Sequence, residues 1–239
     1  MENIQRIVND IIKWLQDRVE EANCRGLVFG LSGGIDSAVI AKLAKTAFPD
    51  NSLGIIMPCH SNIEDEEHSM IVADALDLEV LKVDLSKTFD ILLDSVRDDN
   101  SHDLAVANIK PRLRMTALYY FAQKNNYLVV GTGNKSEFTL GYFTKHGDSG
   151  VDIFPIADFV KSEIRELAKY LNIPDIIITK SPSAGLWEGQ TDEEEMGITY
   201  KDLDNYIKTG EAPDDVKKKI EKLNKLTSHK RKMPLMFKR

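Results

Sequence analysis

Eight consecutive residues, Gly30-Leu31-Ser32-Gly33-Gly34-Ile35-Asp36-Ser37, combine glycines, hydroxyls and a single carboxylate. The glycines let backbone N–H groups approach an anion closely, and a helix starting behind them adds the positive end of its dipole. Ser32 and Ser37 can donate hydroxyl hydrogen bonds to the same anion. Such a string suits a phosphate chain. Asp36 would repel a bare phosphate, so its presence points to a magnesium ion between carboxylate and phosphates. No Lys stands in the string, so the Gly-Lys-Ser/Thr ending of a kinase-type P-loop is missing. Glycines alone would fit a plain strand-to-helix turn; the whole string asks for more.

The elements around this string must hold it in place. Ile4, Ile7, Val8, Ile11, Ile12, Leu15 and Val19 recur at helical spacing and predict an amphipathic first helix, with Trp14 expected in the core. Gly26 to Leu31 is an apolar run of strand length, and Ala38 to Ala44 behind the glycines is helical in composition. The unit repeats, with strands expected at Leu53–Met57, Val80–Leu85 and Tyr127–Gly131. Ser61 and Glu64 have the spacing of a capping box opening the intervening helix. Helical stretches are expected around Thr88–Val96, Leu104–Lys124 and Lys161–Leu171. Alternation of this kind predicts an α/β fold, a doubly wound, mostly parallel, Rossmann-like sheet with helices on both faces. Ligands in such sheets bind at the carboxyl edge of the strands, which would carry two polar loops, Ser32–Ser37 and Thr132–Glu137. Lys180 to Gly197 reads as one long polar loop, with Trp187 as a cover or interface residue, and the Lys-rich tail has Leu223 and Leu226 as apolar anchors.

Composition narrows the class of protein. The chain has 239 residues, with no internal repeat or low-complexity linker, and is expected to form one domain over 1–239. Lys and Arg number 31 against 38 Asp and Glu, giving a net charge of −7. A general nucleic-acid binder needs a basic surface, so none is expected. Cys24 and Cys59 form neither a C-x-x-C pair nor a disulfide framework. With no signal-peptide layout and no apolar run near the ~20 residues of a membrane span, a soluble, cytoplasmic protein with no membrane partner is expected. His60, His68 and His102 show no ligand spacing and read as surface residues.

The string at 30–37 matches the ATP pyrophosphatase loop, Ser-Gly-Gly-x-Asp-Ser, whose enzymes split ATP between the α and β phosphates. Further stretches choose among the families that carry it: Asn108 to Met115, Gly131 to Glu137, Gly141 to Asp152, Ser181 to Trp187, Gly189 to Glu193, and His229-Lys230. With these, the chain from about Ile4 to Lys230 resembles the ammonia-dependent NAD synthetases. The resemblance implies an adenine nucleotide alpha hydrolase-like fold and a ligase that converts deamido-NAD, ATP and ammonia to NAD, AMP and pyrophosphate. It implies ATP contacts at Gly30, Leu31, Ser32, Gly33, Gly34, Ile35, Asp36, Ser37, Thr132, Lys161 and Ser183. Magnesium would be held by Asp36 and Glu137. Deamido-NAD contacts would fall to Arg112, Lys145, Asp152, His229 and Lys230, with Asp36, Lys161 and Asp152 as catalytic residues. Asp152 would either favour a cationic pyridinium or help deprotonate ammonium. The competing reading of His229 and Lys230 is a solvated basic tail.

The resemblance also implies small-molecule substrates and a homodimer, with Arg114, Leu118, Tyr119 and Phe121 able to offer an apolar face. A transfer-RNA-modifying thiolase or ligase would usually need an RNA-binding module or sulfur-carrying cysteines, and neither is visible. An adenine-nucleotide sensor would not need both Asp36 and Glu137. No glutaminase domain is expected, since synthetase motifs occupy these 239 residues. His60 adjoins Cys59 on an extended segment and so points away from it. Free ammonia is therefore the expected nitrogen donor.

Overall fold

The computed structural model describes residues 3–97, 103–183, 185, 189 and 191–237; His102 and Trp187 lie outside them. In chain order the elements are α1 (Ile4–Glu21), β1 (Gly26–Gly30), α2 (Ile35–Ala47), β2 (Ser52–Ile56), α3 (Ile63–Leu76), β3 (Val80–Lys82), α4 (Ser86–Val96), α5 (Asp103–Ala107) and α6 (Ile109–Asn125). There follow β4 (Tyr127–Val130), α7 (Lys135–Leu140), α8 (Lys161–Tyr170), α9 (Asp175–Thr179), α10 (Asp192–Met196), α11 (Tyr200–Thr209), α12 (Asp214–Leu226) and a 3-10 turn over Ser228–Arg231.

The strands lie in the order β3-β2-β1-β4, and every adjacent pair is parallel. β1 is apolar throughout because it is covered on both faces. Leu27 and Phe29 face the core built from α1, α2 and α8, whereas Val28 joins Ile55, Val129 and Leu118 in the core beneath α4 and α6. The two-residue alternation of a strand thus sorts one sequence run into two cores. From β1 the chain runs to β2 and β3 on one side, then returns to β4 on the other. Loops leaving β1 and β4 therefore diverge at a switch point, the place where open parallel sheets bind ligands. A third cluster, with Leu140, Tyr200, Leu203 and Ile220, packs the C-terminal helices against α7.

Several expectations are corrected. Trp14 is 37% exposed, because the buried stripe of α1 is Val8, Ile11, Leu15 and Val19, and Trp14 sits beside that stripe. His68 is buried rather than on the surface. Asn62, not Ser61, caps α3, its side chain accepting from Glu64 N; the Ser61 hydroxyl instead accepts from Cys59 N and from Arg114. β3 stops at Lys82, although Val83 N and Leu85 N still bond the carbonyls of Ile56 and Pro58. The stretch after Lys180 is not all loop, since Thr191 caps α10 within it. The tail is anchored by buried Ile220 and partly buried Leu223, while Leu226 is exposed. Leu118 faces the interior of this chain and Arg114 reaches inward to Met57 O and Ser61, so the large apolar side chain that α6 leaves exposed is Tyr120.

Phe29 is fully buried at the centre of the sheet. Phe29→Ala is expected to lower unfolding free energy by about 4 kcal/mol, through lost transfer energy and the cavity left behind. Urea unfolding monitored by circular dichroism measures this; a loss below about 1 kcal/mol would contradict the central placement of β1.

Candidate active site

The string from Gly30 to Ser37 forms the turn between β1 and α2. Gly33 has φ +73°, and a Cβ there would meet the Asp65 carbonyl at 2.5 Å and the His68 Cβ at 2.8 Å, so only glycine fits. Hydroxyls brace the turn from inside. Ser37 Oγ donates to Gly34 O at 2.9 Å and accepts from Ser32 N at 3.2 Å. Ser32 Oγ accepts from Gly34 N at 3.3 Å. No side chain caps α2, which begins at Gly34 with extended backbone. Its first N–H groups are thereby presented to an incoming anion.

Asp36, on the first turn of α2, is the crossing point of the site. Its Oδ1 accepts from Asn134 Nδ2 at 3.0 Å, and its Oδ2 accepts from Lys161 Nζ. Asn134 is fully buried and opens α7 with a capping box. Its Oδ1 accepts from Glu137 N, and Glu137 Oε2 accepts from Asn134 N. Glu137 Oε1 lies 3.7 Å from Lys161 Nζ. Lys161 begins α8, its N–H donates to Ser136 Oγ at 3.0 Å, and its ammonium stands 5.1 Å from the centre of the Tyr200 ring. Ser136 Oγ in turn donates to Asp204 Oδ1 at 2.6 Å, and Ser162 N donates to Asp204 Oδ2 at 2.7 Å. One carboxylate on α11 thus sets the starts of both α7 and α8.

Electrostatics follow from this crowding. Burial disfavours the Lys161 ammonium, but Asp36 and Glu137 outweigh it and hold its pKa above the ordinary lysine range. Burial, with Asp36 close by, pushes the Glu137 carboxyl up to about 8 despite Lys161. Asp192, buried on α10, accepts from Tyr200 OH at 2.8 Å, and burial raises its carboxyl too.

These groups line a cavity of about 450 Å³ together with Thr132, Ser183, Arg114, Asp148, Lys180 and Lys230. Asp148 is open to the cavity, its carboxylate accepting from Thr144 N at 2.8 Å. Desolvation by the surrounding protein is the leading reason its pKa rises to about 6.

The profile of the NAD synthase family matches residues 7–234. The NH3-dependent NAD+ synthetase of Carboxydothermus hydrogenoformans is 51% identical over 235 residues, 97% of each chain. The chain belongs to the NAD synthase family. Among solved structures, it is similar to NMN synthetase from Francisella tularensis, with TM-score 0.95 and 35% identity over 99% of each chain. It is also similar to NH3-dependent NAD synthetase from Campylobacter jejuni in complex with nitrate, with TM-score 0.84 and 30% identity over 100% of each chain. The family is ATP-dependent, and its activity is that of a ligase acting on small molecules. Among the described residues no helix is long and apolar enough to cross a membrane.

Within this NAD synthase fold the sequence-predicted residues fall into two groups. Those expected at ATP converge, apart from Gly33, which packs against α3: the rest of the 30–37 turn, Thr132, Lys161 and Ser183 share the cavity with Glu137. Those expected at deamido-NAD lie beyond it, apart from Lys230 at its lip. Arg112 Nη2 donates to Lys145 O at 3.4 Å, and Lys145 Nζ donates to His229 O at 3.0 Å. Lys230 Nζ donates to the carbonyls of Gly141 and Phe143 at 2.9 and 2.8 Å, so this residue is no solvated tail. Asp152 accepts from Tyr119 OH at 3.0 Å and from Val129 N at 2.7 Å, beside the edge strand β4. Tyr119 is seven residues beyond Arg112 on α6, two turns on and on the same face, so the second group follows one strip.

Sequence reasoning assigned no site role to Asp148, Asp192, Arg114 or Lys180, and placed Arg114 only on a dimer face. The first three lie inside quoted motif stretches, but only the fold shows that they face the cavity.

Glu137 provides a direct measurement. Between 4.5 and about 8 the folded protein keeps a proton that the unfolded chain has released. Its contribution to stability is therefore full below that window and lost as pH rises through it. Glu137→Gln keeps the acceptor for Asn134 N and removes the titration. The loss of stability from about pH 5 to about pH 8 should shrink by about 1 kcal/mol or more. Urea unfolding at the two pH values reads this, and an unchanged difference would show an ordinary carboxylate.

Proposed function

We propose that this protein makes NAD by amidating deamido-NAD with ammonia, converting ATP to AMP and pyrophosphate as the last step of NAD formation. The observation that carries the proposal is the junction of the 30–37 turn with Asp36, Glu137 and Lys161 in one cavity, in a chain of the NAD synthase family.

A carboxylate is a poor acyl donor because its oxygen leaves badly. Adenylation turns that oxygen into a phosphate leaving group, which ammonia then displaces. ATP must therefore sit with its α phosphorus toward the nicotinate carboxylate. The turn's N–H groups, with Ser32 and Ser37, hold the pyrophosphate end, and Lys161 adds a long-reach point charge. Thr132 and Ser183 complete the ATP contacts. Asp36 and Glu137 fit a magnesium ion, being two hard oxygen donors already gathered around one cation, Lys161 Nζ. Among the described residues no three acidic, His or Cys side chains form a closed metal cage. Magnesium that keeps waters and substrate phosphates in its shell needs no such cage. When bound, it neutralises charge on the triphosphate. Asp148 is the base for ammonium, since it faces the cavity with a pKa near 6, whereas both oxygens of Asp152 already accept hydrogen bonds. Asp152 instead positions Tyr119 and the β4 edge beside the dinucleotide. Arg112, Lys145, His229 and Lys230 extend the site beyond the cavity, which suits a dinucleotide rather than a mononucleotide.

The test is one assay. With ATP, magnesium, deamido-NAD and an ammonium salt, NAD should form in step with AMP and pyrophosphate. Nicotinate mononucleotide in place of deamido-NAD should react at least ~10-fold more slowly, a discrimination of about 1.4 kcal/mol. Asp148→Asn should lower kcat/KM for ammonium ~10²-fold, and the parent's rate should rise with pH through about 6. Stoichiometric ADP, or equal rates on the two nucleotides, would refute the reading.

The protein is further proposed to act as a cytoplasmic homodimer joined across α4–α6, where Ile91, Val96, Leu104 and Tyr120 are exposed. Sedimentation should give the mass of two chains, and Tyr120→Asp should shift it toward one; a monomeric parent would refute this.

A further inference from the structure

We infer that Lys180 is a further binding residue for the pyrophosphate end of the nucleotide, held by Asp65 in the ligand-free site and handed to phosphate when the nucleotide enters. The inference rests on the ATP-cleaving reading above and adds a residue to it. Lys180 directly follows α9 and opens the stretch that carries Ser183. Its Nζ donates to Asp65 Oδ1 at 2.6 Å and to His68 Nδ1 at 2.8 Å. His68 accepts at Nδ1, so its own proton sits on Nε2, which faces Glu64 at 3.7 Å. Asp65 and His68 belong to the start of α3, the element pressed against the Gly33 turn. Ser69 Oγ, one residue on, donates to Leu31 O at 3.0 Å, tying α3 to the same turn. Lys180 and Asp65 line the cavity alongside Ser32, Asp36 and Lys161.

The other cations at this cavity have partners that resist exchange. Lys161 is buried against Asp36, whose carboxylate would be left as an uncompensated charge. Arg114 is bound to Met57 O and Ser61 Oγ, and Lys230 to two backbone carbonyls. Lys180 differs, because its charged partner is a side chain at the cavity wall, where Lys180 is 19% and Asp65 29% exposed. Asp65 can turn to water when the ammonium turns to phosphate. Cleavage between the α and β phosphates leaves pyrophosphate with more charge than the same segment carried in ATP. A cation added at that end stabilises the departing group.

Direct titration of inorganic pyrophosphate with magnesium into the full-length protein tests this. Lys180→Met should weaken binding about tenfold, as expected for a lost charge-assisted hydrogen bond, and Lys180→Gln should match it as a second removal of charge. Asp65→Asn should tighten binding severalfold, because it removes the competitor for the ammonium. If the ion pair were only a strap for the loop, Lys180→Met and Asp65→Asn would break the same strap and weaken binding alike. That result, or unchanged affinity in both Lys180 variants, would overturn the inference. NAD formation by the parent protein is scored separately, so failure of the reaction and failure of Lys180 give different patterns.

Discussion

A buried ammonium between a carboxylate and a second carboxyl group that burial keeps protonated up to about pH 8 organises this molecule. Lys161 is almost wholly removed from water, and a lone charge there would be prohibitive. Asp36 and Glu137 make it tolerable, and each comes from a different loop at the carboxyl edge of the sheet. The phosphate turn after β1, the capped turn after β4 and the start of α8 therefore cannot separate without exposing or orphaning a charge. Removing one partner of such a cluster costs more than the cluster contributes in net stability, so the arrangement fixes geometry more than it adds free energy.

The C-terminal layer is built onto this junction. Asp204 on α11 accepts hydrogen bonds from Ser136 and Ser162, next to the two helix starts that carry Glu137 and Lys161. Tyr200 lies under the Lys161 ammonium and donates to Asp192. Farther along, Gly141 has φ +70°, and a Cβ there would stand 2.3 Å from the Thr227 side chain, so the tail can seat only because that position is glycine. Thr227 Oγ1 then donates to Leu140 O, Arg231 to Phe138 O, and Lys230 to Gly141 O. The far end of the chain is thereby fastened to the short helix that presents Glu137.

Charge is distributed to match. The chain is acidic overall, at −7, yet Lys161, Lys180, Arg114 and Lys230 are gathered around one cavity. Substrates that are themselves anions gain from local cations with low-dielectric walls, whatever the net charge of the surface. The same cavity lining holds seven acidic side chains, Asp36, Asp65 and Glu137 among them, so an anionic ligand there relies on individually placed cations, while the net negative charge of the chain disfavours long nucleic-acid backbones.

The sequence alone was enough for the parallel sheet and the 30–37 turn, because these rest on local signals: apolar runs of strand length and glycines at a tight turn. The joint role of Asp36 and Glu137 came instead from the family resemblance, since no local signal links two carboxyl groups so far apart in the chain. Local pattern failed where several segments compete for one group. Ser61 has the spacing of a cap, but Arg114, from a helix some fifty positions on, draws its hydroxyl, and Asn62 takes the cap. His68 carries no ligand spacing, yet it is buried because Gly33 pulls α3 onto the turn and Lys180 reaches its ring. Trp14 misses the core because the buried stripe of α1 is narrower than its composition suggests. Only the tertiary structure separated Asp148, facing the cavity, from Asp152, turned to Tyr119 and the edge of β4, four residues apart in one glycine-containing stretch. The direction of a side chain in irregular backbone is set by what packs against it, and that information lies elsewhere in the chain.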